Sequence, residues 1–203
     1  MDMSEGYKHL RESRAVISLS ARGRIKVTGE DRKRLLHAMT TNHVQEMEPG
    51  QARYAFFLNA QGRVLGDAVI YCFEDHLLLS VEPEVKQKIL AHLDKFIIAD
   101  DAALEDVTGA TAEYSIEGPE SEGDPDVTET GLPGRRFVVE PGAEPEAEVS
   151  PGEVRIVRIE QGRPRYGEDI TEAHIAHETG QMRAIHFSKG CYLGQEIVER
   201  VRS

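Results

Sequence analysis

Cysteine is nearly missing from this 203-residue sequence: Cys72 and Cys191 are all it has. Two thiols so far apart exclude a disulfide framework and any four-cysteine metal site within one chain. No stretch approaches the ~20 apolar residues that a membrane span needs. The opening Met1-Asp2-Met3-Ser4-Glu5 is acidic and polar, unlike a secretory signal, so the cytoplasm is the simplest expected address. Positive charge is also short, with 24 Lys and Arg against 36 Asp and Glu and a net charge of −12. That balance argues against a nucleic-acid partner, which calls for a basic footprint, but leaves room for a local basic pocket around a small anion. Phosphate-loop, dinucleotide and H-E-x-x-H signatures are absent. The pair His174 and His177 has helical metal-ligand spacing but no supporting ligands, and no metal site is expected.

What is present describes a folded chain. Hydrophobic residues make up 39% and charged residues 30%, and the length fits one large domain or two small ones. Residues 15–27 read as two short strands, 16–19 and 24–27, around a turn at Ala21-Arg22-Gly23. Thr28 then opens a helix, with Asp31 as a short capping-box acid and Leu35, Leu36 and Met39 as its apolar stripe. The strongest hairpin signal joins residues 52–58 to 64–73 through Asn59-Ala60-Gln61-Gly62. A strand at 76–81 and a helix from about Glu82, with Val85, Ile89, Leu93 and Phe96 on one face, follow.

Residues 119–152 are dense in Pro, Gly, Glu and Asp, and read as two exposed acidic loops around a strand at 135–139. The alternation in Glu153-Val154-Arg155-Ile156-Val157-Arg158-Ile159-Glu160 predicts another strand. Residues 192–201 read as a helix with Ile197, Val198 and Val201 inward. The expected fold class is α+β, with largely antiparallel sheets and packed helices. The expected subdomains are 1–105 and 106–203, the second carrying the acidic loops.

Three places could carry chemistry. Asp67 lies inside an otherwise apolar strand, where carboxylates are uncommon. With a two-residue loop, Tyr54 sits directly opposite it; with a bulge at Gly62 the register moves by one and the pair separates. Glu160 offers two parallel acceptors that suit the edge of a planar ring bearing adjacent N–H donors, or it is simply a solvent-facing acid. Tyr166 and Asp169 follow closely. The densest signal is Lys189-Gly190-Cys191-Tyr192-Leu193-Gly194-Gln195-Glu196. A thiol near a lysine and a helix start is biased toward thiolate; the alternative is a small buried cysteine in a tight turn.

Together these residues resemble the YgfZ family, relatives of the glycine-cleavage T-protein (aminomethyltransferase). The tract at 189–200 is similar to that family's K-G-C-Y-x-G-Q-E signature. Support comes from L-R-E-S-R at 10–14, V-T-G-E-D-R at 27–32, M-T-T-N at 39–42, R-I-E-Q-G at 158–162 and Y-G-E-D-I at 166–170. The resemblance covers nearly the whole chain except 119–152. It implies a T-protein-like folate-binding fold, from which a small C-terminal barrel is expected to be missing, and tetrahydrofolate or a one-carbon derivative as cofactor. The T-protein pattern N-x-x-G-G-x-x-D-D aligns with Asn59 to Asp67, placing Asp67 on the acid implicated in folate chemistry and Gly66 on the preceding acid. Tyr54 falls on a tyrosine lining the folate site, Glu160 on the glutamate that grips the pterin, and Tyr166 on a pocket aromatic. His43 stands where the family usually has Asp.

The resemblance implies a folate-binding protein that supports assembly or repair of iron–sulfur enzymes, with folate and iron–sulfur assembly or client proteins as partners. In that reading Asp67 and Cys191 carry the chemistry and Lys189 tunes the thiol. Two alternatives stand beside it: a folate-dependent aminomethyl or formyl transferase, and a scaffold that has lost its ligand. Whether the protein is an enzyme stays open at this point. Arg155, Arg158, Arg163, Arg165, Arg183 and Lys189 are the cations near the motifs that could meet the folate's anionic tail.

Overall fold

The computed structural model describes residues 4–202. In chain order the elements are α1 (Glu5–Glu12), β1 (Ala15–Ser18), β2 (Gly23–Thr28), α2 (Arg32–Met39), β3 (Ala52–Leu58), β4 (Val64–Cys72) and β5 (Leu77–Val81). Then come α3 (Lys86–Asp94), β6 (Ala103–Asp106), β7 (Ala112–Glu117), β8 (Gly134–Val139), α4 (Pro151–Glu160) and α5 (Gln195–Arg202). Every strand pair is antiparallel, in a three-stranded sheet β1-β7-β8 and a five-stranded sheet β3-β4-β5-β2-β6. The α+β class expected from the sequence is therefore the one observed. No helix among the described residues is long and apolar enough to cross a membrane.

The chain forms two compact units, each built from two separate stretches. One takes the described residues up to Arg22 with Thr108–Pro164; the other takes Gly23–Val107 with the described residues from Arg165 onward. The division at 105/106 read from the sequence lies two residues from one crossing. The crossings after Arg22 and Pro164 make each unit discontinuous and put Asp67, Tyr166 and the 189–196 tract in the same unit.

In the first unit, α1 and α4 accompany the three-stranded sheet over a core of Leu10, Ile17, Leu19, Leu132, Val154 and Val157. The strand expected at 153–160 is helix α4. Its start is set by Ser150 and Glu153: the Glu153 carboxylate accepts the Ser150 N–H at 2.7 Å, and the Ser150 hydroxyl accepts the Glu153 N–H at 3.4 Å. Pro151 at the first helical position suits that start. Bonds from Ser4 and from Ser150 hold the Glu153 carboxyl down to about 2. The acidic stretch contains strand β8 as expected, but its first loop is anchored. The buried Glu117 carboxylate accepts from Ser115, from the Glu129 and Thr130 N–H groups and from the Thr130 hydroxyl.

In the second unit, β4 and β5 are almost wholly buried interior strands of the sheet. The strands at 16–19 and 24–27 do not pair with each other: β1 pairs with β7, and β2 with β5 and β6. Apolar alternation specifies a strand but not its partner, and here each partner lies far along the chain. Thr28 ends β2 instead of capping a helix, because Gly29 turns the chain through φ +96° and α2 begins only at Arg32. Of the apolar positions expected to face inward, Val85, Ile89, Leu93 and Val198 are buried, whereas Phe96 and Val201 are exposed.

Candidate functional site

Asp67 sits on β4 opposite Phe56, and Tyr54 lies opposite Val69. Neither register read from the sequence is adopted. The ladder shifts between Phe57 and Leu58, so that Phe57 pairs with Gly66 while Leu58 pairs with Val64. The net displacement of two residues preserves the pleat, so Tyr54, Phe56 and Asp67 share a face. Tyr54 and Asp67 are diagonal neighbours, within reach of a long side chain. The Tyr54 hydroxyl donates to Asp67 Oδ2 at 2.6 Å. At 8% and 5% exposure both groups are buried, so this is a short charge-assisted bond out of water.

The neighbouring Gly66 is closely packed. A Cβ on Gly66 would lie 3.2 Å from both Val85 and Ile89. A carboxylate in place of Gly66 would point into that apolar surface.

The Thr40-Thr41-Asn42 tract after α2 fixes β3 to the segment at 182–189. The Thr41 hydroxyl donates to the Ala184 carbonyl and accepts the Phe56 N–H at 2.9 Å. Asn42 Nδ2 bridges two carbonyls, Tyr54 at 2.8 Å and Arg183 at 3.0 Å. Beside that clamp the Arg183 guanidinium lies over the Tyr54 ring, 4.1 Å from its centroid. Arg183 Nε also donates to Gln181 Oε1 at 2.8 Å.

Tyr166 is buried in the same unit. Its hydroxyl donates to the Val64 carbonyl at 3.3 Å and accepts from Lys88 Nζ at 3.2 Å. Burial raises the Tyr166 phenol above its ordinary range; the Lys88 ammonium opposes that shift, and the Asp67 charge adds to it. Arg165 is engaged by Glu82 and Glu84.

The sequence implied that Lys189 tunes the thiol; in the structure the bonds of its ammonium go to backbone carbonyls. Its Nζ donates to the carbonyls of His37, Thr40 and Asn42, closing the C-terminal end of α2. Burial pulls this ammonium down to about 7. Cys191 does not sit at a helix start, since α5 begins four residues later. The thiol is exposed, which removes the buried-cysteine alternative.

The residues around Cys191 are held tightly. The Leu193 N–H donates to the Ala38 carbonyl, and Gln195 Oε1 accepts the Tyr192 N–H at 2.9 Å. Gly194 has φ +83°, and a Cβ there would lie 2.6 Å from the Asn59 carbonyl oxygen. Burial raises the Tyr192 phenol to about 12, and Glu199 adds to the shift. Glu196 is exposed, and Gly190 only approaches His37. Cys191 borders an open groove of about 610 Å³ lined by Ala38, Met39, Phe96 and Leu193; Tyr54, Asp67 and Tyr166 are not part of that lining.

Glu160 is the last residue of α4, in the other unit. Its two carboxylate oxygens accept from the Tyr7 hydroxyl at 2.9 and 3.1 Å, and Arg11 lies 3.6 Å away. That hydrogen bond pushes the Tyr7 phenol above its ordinary value. In the same unit, Arg158 and Arg163 donate to the carbonyls of Arg163 and Pro125.

His37, His43 and His186 form a chain of edge contacts with centroids 4.6 and 5.1 Å apart. His37 Nδ1 accepts the Val44 and Gln45 N–H groups, each at 3.2 Å. Among the described residues no group of three His, Cys, Asp or Glu side chains is arranged to hold a metal ion. His174 Nδ1 accepts the Thr171 N–H at 3.1 Å, closing its own loop.

The sequence reading gave Asn42 and Thr41 no site role, took Arg183 only as one of six nearby cations, and left out Lys88. The M-T-T-N tract was the available signal for the first two. Nothing local to residue 183 marks its placement over Tyr54.

Residues 2–123 match the family model described as the GCVT N-terminal domain. A candidate chloroplastic transferase of Arabidopsis thaliana is 28% identical over 92% of this chain and 52% of its own length. The aminomethyltransferase of Streptomyces coelicolor is 27% identical over 98% of this chain and 68% of its own. The chain thus spans about half the length of the plant relative. Among solved structures, the glycine cleavage system aminomethyltransferase T from Bartonella henselae shares the fold, with a TM-score of 0.80 and 17% identity over 98% of this chain and 66% of that one.

Proposed function

The chain belongs to the GCVT N-terminal domain family, and from that premise we propose that it binds tetrahydrofolate, with one-carbon chemistry centred on Asp67. The observation that carries this reading is the buried Tyr54–Asp67 bond of 2.6 Å. A carboxylate is costly to bury unless it is bonded, and this one is kept on an interior strand and bonded to the Tyr54 phenol.

The donor set suits a reduced pterin. Asp67 supplies a carboxylate, and Tyr54 and Tyr166 supply phenols, all within one unit. When bound, the folate supplies the nitrogens that carry a one-carbon unit. Asp67 then acts as acid/base or electrostatic partner, and Tyr54 orients its carboxylate.

Titration calorimetry with tetrahydrofolate or its 5-formyl derivative tests the reading. The expected outcome is binding to the wild type that is weakened at least tenfold in Asp67→Asn. No heat at millimolar ligand would overturn it and leave the scaffold reading. Transferase activity is its catalytic form, expected as product formation from a one-carbon donor and lost in Asp67→Asn.

One observation favours the YgfZ-type role in supporting iron–sulfur enzymes: a thiol displayed at the surface by a tightly held tract. On this reading Cys191→Ser folds normally but fails to complement cells lacking the native factor. Full rescue by the variant would remove the thiol from the function.

A further inference from the structure

We propose that Arg183 is a positioning residue for the Asp67 site: its guanidinium, stacked on Tyr54, polarises the phenol that donates to Asp67. The inference rests on the folate reading for its consequence but on geometry for its substance. The guanidinium carbon lies 4.1 Å from the Tyr54 centroid, and the far end of the same ring donates to Asp67 Oδ2 at 2.6 Å. A cation over an aromatic face draws electron density from the ring. The O–H then becomes a stronger donor to the carboxylate. Arginine keeps its charge at any working pH, so the polarisation is constant.

A second observation shows that the stack is built into the fold. The Asn42 amide bonds the backbone carbonyls of both Tyr54 and Arg183, so one side chain ties together the two backbone positions from which ring and cation project. The bond from Arg183 Nε to Gln181 Oε1 fixes the guanidinium further. Cation, ring and carboxylate therefore form a chain of contacts that begins at Arg183 and ends at Asp67. The other cations considered for the site are engaged differently: Arg165 with two glutamates and Lys189 with three carbonyls.

Proton NMR of the free full chain reads the first link. The Tyr54 hydroxyl proton, buried and bonded to Asp67, gives a downfield line that Tyr54→Phe removes. Arg183→Met moves that line upfield, and Arg183→Lys, which keeps a cation, restores most of the shift. An unmoved line in a folded Arg183→Met chain overturns the proposal.

Tetrahydrofolate calorimetry reads the consequence. Arg183→Met weakens binding about twofold to thirtyfold, and in the Tyr54→Phe background it adds nothing further. Full additivity of the two substitutions would mean that Arg183 does not act through Tyr54, and would overturn the proposal. A wild-type chain that ignores tetrahydrofolate defeats the folate reading, while the hydroxyl line still decides the link between Arg183 and Tyr54.

Discussion

A carboxylate placed in the middle of a buried strand must find donors, and Asp67 takes one from Tyr54 across the diagonal of the β3–β4 ladder. Its type and place in an apolar run made it legible in the sequence. That Tyr54 meets it on one face was legible too, but not the register: a bulge between Phe57 and Leu58 makes the two diagonal rather than opposite. Tyr54→Phe leaves the Asp67 charge without this donor and is expected to cost about 1–3 kcal/mol of stability, read by urea melts. Lys189 shows the opposite case. Its neighbour in sequence is the thiol, but its partners are three carbonyls that only the tertiary fold brings to it. Lys189→Met is therefore expected to lower stability by about 1–3 kcal/mol while leaving the exposed Cys191 thiol equally reactive to a thiol probe. A variant as stable as the wild type would contradict the latch.

At the scale of elements, hairpin and helix signals fared better than pairing. The β3–β4 hairpin, β5 and α3 follow from apolar periodicity and turn residues. Helix α4 was read as a strand because four apolar residues in Glu153–Glu160 fit alternation as well as a helical face. Ser150-Pro151-Gly152-Glu153 was the overlooked start signal. Gly194 and Gly62 show why glycine recurs where α5 meets the hairpin turn: a Cβ on Gly62 would lie 2.7 Å from Ile197. Gly194→Ala combines that crowding with a left-handed backbone, and is expected to lower the melting temperature.

The loop after α2 carries a pH dependence. His37 accepts two N–H groups through Nδ1 and must be neutral there. Burial, with Lys189 nearby, pulls it from 6.5 to about 4. The unfolded chain thus takes up this proton more readily between those values. The stability contributed by neutral His37 is complete above about 6.5 and is lost as pH falls toward 4. Urea melts from pH 7 to 4 are expected to show a smaller loss in His37→Asn, which keeps an acceptor and does not titrate. An identical pH profile would contradict this role.

Across the whole molecule, the antiparallel α+β class was readable from pattern and from the family resemblance. The two discontinuous units were not. Nothing in residues 15–27 announces that β1 and β2 join different sheets, because strand partners are chosen by contacts remote in sequence. The candidate site was legible to a similar degree: Asp67, Tyr54 and Tyr166 fall in one unit, whereas Arg183 and Asn42 emerged only once the chain was folded. The net charge of −12 makes each cation near Asp67 stand out, since a folate tail would be repelled by most of the surface. The most direct test of the account is calorimetric titration of the chain with tetrahydrofolate, run beside Asp67→Asn. The account predicts saturable binding to the wild type that the variant largely loses; equal binding by both, or none by either, would contradict it.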